Sequence, residues 1–130
     1  MKREWLRPFF VVAALYDIVL GVLFLVAPGA IYARFGVTPA NHPAYVQFAA
    51  AVVLIFGIGF WFVAQAPERN RDLIKLGVMF KLAYSSVVLG WWFQGQMPGM
   101  FVPFAWIDLA FIAAFLAALR SLPAGQAAPA

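Results

Sequence analysis

LIKLGVMFKLAYSSVVLGWWF, residues Leu73 to Phe93, is long enough to cross a bilayer as one helix and carries Lys81 near its middle. A bilayer core needs about 20 mostly apolar residues at 1.5 Å rise each, and this stretch supplies them. A lysine at that depth needs a partner. Two other apolar stretches hold a lone carboxylate at a similar place, Asp17 and Asp108, and no other acidic residue lies inside an apolar run. The reading that follows is all-α: an integral membrane four-helix bundle closed around Asp17, Lys81 and Asp108.

Composition points the same way. The chain has 130 residues, of which 65% are hydrophobic and 11% charged, with a mean hydropathy of +0.90. Soluble domains hold about 45–50% apolar and about 25% charged residues, so a water-soluble fold would lack a surface. The net charge of +4 does not indicate nucleic acid, because the basic residues sit at the ends of apolar segments and form no patch. With no cysteine, disulfides, thiolate metal sites and CxxC chemistry are excluded.

Spans are expected at about residues 8–27, 44–66, 73–93 and 101–119, making residues 1–120 a single membrane domain. The tail 121–130, SLPAGQAAPA, offers nothing to pack and is expected to be a disordered cytoplasmic extension. A cleaved leader is the competing reading of the basic head MKREWLR and its apolar run, but Asp17 inside the run and its full spanning length count against cleavage. Between the first two spans, Ile31, Tyr32 and Phe35 suit one side of a short interfacial turn ended by Gly36, while Pro39 and Pro43 prevent a longer helix. The polar hairpin PERNRD, residues 67–72, makes spans two and three antiparallel neighbours. Lys2, Arg3, Arg7, Arg69, Arg71, Lys75 and Arg120 fall on one side of this topology and only Arg34 on the other. By the positive-inside rule both termini are cytoplasmic.

Helix geometry places the three charges at similar depth, roughly 15 Å, 13 Å and 18 Å from the cytoplasmic end for Asp17, Lys81 and Asp108. Inserted alone, each would cost about 2.5–3.5 kcal/mol, or roughly 8–10 together, so they must pair. Gly77, Tyr84 and Ser85 share the Lys81 face; Ala13, Ala14 and Gly21 share the Asp17 face; Phe80 and Leu82 point elsewhere. Ala110, Ala114 and Ala118 suggest a small-residue packing seam on span four. Two acids against one base leave a formal charge of minus one, to be offset by a proton or by a hydroxyl donor such as Tyr16, Tyr84 or Ser85. The layer is read either as a structural ion pair or as a site, with Asp17, Lys81, Asp108, Tyr84 and Ser85 as its members.

His42, Tyr45 and Gln47 are candidates for an outer mouth to the bundle. A single histidine is too few for haem or a metal centre, and no metal site is expected. Gly57-Ile58-Gly59 lies inside a span with no strand before it, so it reads as helix packing, and no catalytic motif appears. Trp61, Phe62, Trp106 and Phe111 are candidates to line a pocket for a flat lipophilic ligand.

GVLFLVAPG (residues 21–29) followed by AIYARFG (residues 30–36), and the tract from Gly57 through PERNRD into LIKLGVMFKLAYSSVVLG, resemble the DoxX-like group of small four-helix membrane proteins. The resemblance implies a bundle in a bacterial inner membrane; some members serve as a membrane subunit of quinone-reducing oxidoreductases. The first expectation is a non-enzymatic subunit or accessory protein, a homo-oligomer or part of a larger membrane complex, with no catalytic residues. The second is a binding module for a quinone or another lipophilic small molecule, with Lys81 or Tyr84 donating to a ligand carbonyl. The third is a small proton- or cation-coupled transporter using the two aspartates. Beyond these the bilayer itself is the expected partner, and nucleic acid is not.

Overall fold

A computed structural model describes residues 3–123, so Lys2 and residues 124–130 of the expected tail lie outside the described residues. Five helices follow in order: α1 (Leu6–Val26), α2 (Pro28–Arg34), α3 (Pro43–Gln65), α4 (Arg71–Phe93) and α5 (Val102–Ser121). The four long ones, with the turn Gly99–Phe101 leading into α5, are long and apolar enough to span a membrane, within about two residues of the expected bounds. The described residues are thus all-α, and their four apolar helices fit a small membrane protein.

Local chemistry sets the ends. Pro28 and Pro43 occupy the first turns of α2 and α3, where a missing N–H costs nothing. Gly36 and Gly95 hold φ of 67° and 73°, the left-handed conformation that stops α2 and α4. After α4 the Gly95 and Gln96 amides donate to the carbonyls of Trp92 and Trp91 at 2.8 Å and 3.0 Å, satisfying the last turn. Helix α2 is the short helical turn expected between the first two spans; Ile31 and Tyr32 are half-buried, whereas Phe35 beyond its end is exposed. Helix α5 runs through Ser121, and Leu122 beyond it is buried, so packed structure extends past the expected end of span four.

The bundle is two antiparallel helix pairs. In α1 and α3 the backbones touch: a Cβ at Gly21 would lie 2.7 Å from Leu54 N, and one at Gly57 would lie 2.8 Å from Ile18 N and 3.0 Å from Ala14 O. Small residues permit this approach, which in lipid is where packing attraction is gained. Helices α4 and α5 form the second pair, with Ser85 Oγ 3.2 Å from Ala105 O. Sequence adjacency suggests α3 and α4 as close partners, but they meet through aromatic side chains instead, notably Phe56 stacked on Phe80 at 4.1 Å.

One half of the bundle, towards the two chain ends, is filled. Leu6, Phe10, Ala13, Ala14, Phe60, Val63, Ile74, Phe115, Ala118 and Leu122 form its buried core. Phe115 lies 5.0 Å from both Phe10 and Phe60, ring centroid to ring centroid, and Gly77 leaves room for the Phe60 and Phe115 rings. The same end is tied by cations on carbonyls. Arg3 Nε donates to Ser121 O at 2.9 Å and Arg71 Nη1 to Leu119 O at 2.8 Å, at the C-terminal end of α5 where positive charge is favoured. Asn70 Nδ2 donates to Phe62 O at 3.0 Å and Ala66 O at 2.9 Å, closing α3.

Candidate functional site

The three spans that carry charges bring them into one layer at the middle of the bundle. Lys81 Nζ donates to Asp108 Oδ1 at 3.0 Å and lies 3.4 Å from both oxygens of Asp17. Lysine is wholly buried, and Asp17 and Asp108 are 2% and 6% exposed. The base therefore serves both acids, with Asp108 the closer. Around it, the Nζ lies 4.6 Å from the Phe111 ring centroid and 5.6 Å from those of Phe60 and Tyr16, so aromatic faces replace water around the ammonium.

Small and polar neighbours take definite parts. Gly21, Ala13 and Ala14 are buried beside Asp17, as their spacing predicts. Ser85 Oγ donates to Lys81 O at 2.8 Å and Tyr84 Oη to Phe101 O at 3.0 Å. Neither hydroxyl reaches a carboxylate. Tyr16 Oη is buried and has no hydrogen-bond partner among the described residues. The expected offset of the extra negative charge by a tyrosine or serine donor is therefore absent, which leaves a proton as the other offset for two acids against one base.

Above the layer the bundle is hollow. A cavity of about 330 Å³ runs from Tyr32, Tyr45 and Phe101 at the α2 end down to Asp17 and Asp108. Phe24, Val53, Phe80, Tyr84 and Phe104 are among its walls, and Tyr16 stands near its floor. At 1.5 Å per residue, the seven positions between Phe101 and Asp108 make it roughly 10 Å deep. Volume and lining match a small-molecule site, mostly apolar with a few converging polar groups.

Several sequence candidates land elsewhere. Trp61, Phe62 and Trp106 are exposed on the outer surface, and Phe111 lies on the far side of Lys81 from the cavity; none of the four lines it. Phe80, assigned away from the charged face, is a cavity wall. In the Ala110–Ala114–Ala118 seam only Ala118 is buried, because the inward stripe of α5 is Ala105, Asp108, Phe115 and Ala118. Lys81 does not line the cavity, so a ligand carbonyl inside it meets carboxylates and not the ammonium. Of the outer-mouth candidates, Tyr45 lines the cavity. His42 Nδ1 accepts from Ala44 N at 3.1 Å and caps α3, while Gln47 Nε2 donates to Leu25 O at 3.1 Å near the end of α1. Phe24, Phe101 and Phe104 were not distinguishable in sequence from other span aromatics.

Comparison of the chain with protein-family models, with curated proteins and with solved structures finds no match.

Proposed function

We propose that the protein is a non-enzymatic subunit or accessory protein of a bacterial inner membrane, with both termini cytoplasmic, whose cavity binds a lipophilic small molecule. The observation that carries this reading is the 330 Å³ apolar cavity ending on the buried Asp17–Lys81–Asp108 layer. A bundle evolved only to hold together has no use for a hollow half, since unfilled space forfeits packing contacts. The layer then has two roles. It joins α1, α4 and α5 across the bundle and forms the polar floor of the ligand site.

The resemblance to the DoxX-like group supports a place beside a membrane oxidoreductase, with a quinone as one candidate ligand. Orientation is supported by the basic residues at the end of the bundle where the chain begins and ends. Fusions test it: a C-terminal green fluorescent protein is expected to fluoresce and a C-terminal alkaline phosphatase to be inactive, and the reverse pattern rejects it. The binding reading is tested by thermal unfolding of the purified protein in detergent. A lipophilic probe such as decylubiquinone or an aromatic ammonium is expected to raise Tm saturably. If no such probe has any saturable effect, the ligand reading fails.

A further inference from the structure

We infer that the cavity selects a lipophilic monocation, an amine or quaternary ammonium on an aromatic or aliphatic body, over a neutral molecule of the same shape. The inference rests on the cavity being a ligand site and names the class of ligand.

Charge comes first. The floor presents Asp17 and Asp108, while the ammonium that answers them is fully buried behind them and does not line the cavity. Asp108 accepts from Lys81 through Oδ1; its Oδ2 has no donor among the described residues, although the residue is more than nine-tenths buried. An unprotonated layer therefore carries one formal negative charge, with an unused carboxylate oxygen beside the cavity. A buried charge of this kind is costly unless something positive reaches it.

The walls agree. Tyr16, Phe24, Tyr32, Phe80, Tyr84 and Phe104 surround the space, and aromatic faces attract a desolvated cation while accommodating an apolar body. A quinone finds less. Its carbonyls need donors, and among the described residues the floor offers the free Tyr16 hydroxyl, since Tyr84 donates to Phe101 O nearer the α2 end. Acceptors outnumber donors where a ligand head would sit, which suits an N–H or N⁺ group.

The test uses phenethyltrimethylammonium and its uncharged carbon isostere, (3,3-dimethylbutyl)benzene, with decylubiquinone as a third probe, against the full-length protein in detergent. Binding is read by saturable thermal shift and by competition. The ammonium is expected to bind at least about tenfold more tightly than the isostere, the scale of a desolvated cation–π and charge contact. Asp108→Asn balances the layer at one acid and one base, and should lower ammonium affinity to that of the isostere while leaving isostere binding within about threefold. Asp17→Asn carries the same expectation if Asp108→Asn does not fold. Equal binding of ammonium and isostere overturns the inference and leaves the ligand reading standing. So does binding of decylubiquinone alone. Failure of all three probes rejects both.

Discussion

The two halves of the bundle are built from the same four helices and similar residues, yet one is solid and the other hollow. Towards the chain ends, Phe10, Phe60 and Phe115 interlock over Gly77, and arginines close the carbonyls of α5. Towards α2, Phe24, Phe80, Phe101 and Phe104 stand around a space instead of filling it. The charged layer lies between them, packed against Phe111 on one side and open to the cavity through its carboxylates on the other. The contrast teaches that the side chains of the second half leave room that those of the first half fill, which makes that half able to receive a ligand.

Removing the base strikes both halves and should have the largest effect. Lys81→Met strands two buried acids, and breaking a buried pair costs about 3–5 kcal/mol. The measurement is thermal unfolding in detergent; an unchanged Tm would show that the layer does not hold the helices. Next, the two halves can be compared by the same truncation. Phe115→Ala empties a filled site, and because lipid is as apolar as the core only the packing part of the usual penalty applies, about 2–3 kcal/mol. Phe104→Ala enlarges an existing space and should cost under about 1 kcal/mol. Equal losses would erase the distinction between the halves. The smallest effect is expected from His42→Ala, which removes the cap on α3 and should cost about 0.5 kcal/mol of stability in the same assay, without altering probe binding.

Much of this was legible in the sequence, for reasons that also explain what was not. Length and hydropathy locate spans because the bilayer imposes a fixed thickness on any helix that crosses it. Asp17, Lys81 and Asp108 stand out because charge in lipid is expensive, and counting rise per residue brought them to one depth. Facing was harder. In water, an apolar stripe marks the inner side of a helix, but in lipid the outside is equally apolar and the stripe vanishes. Trp61, Phe62 and Trp106 therefore look the same as Phe24, Phe101 and Phe104 in sequence, although the first three face outward and the last three enclose the cavity. Only small and polar residues give direction, and they did so at Asp17 with Ala13, Ala14 and Gly21. Ala110 and Ala114 misled because alanine is also tolerated on the surface. The cavity itself depends on where two helix pairs separate, a property of side-chain volumes summed across four helices that no single span reveals.

Because the chain has no cysteine, a single introduced thiol can report on each half of one helix. Val53 borders the cavity and Val63 is fully buried in the solid core, ten positions along α3. The most direct measurement is the rate at which N-ethylmaleimide modifies Val53→Cys and Val63→Cys in the folded protein, with and without phenethyltrimethylammonium. The V53C thiol is expected to react readily and to be protected by the probe, while the V63C thiol stays unreactive until the protein unfolds. Equal reactivity at the two positions, or a V53C rate that the probe leaves unchanged at saturation, would contradict a hollow ligand-binding half set against a solid one.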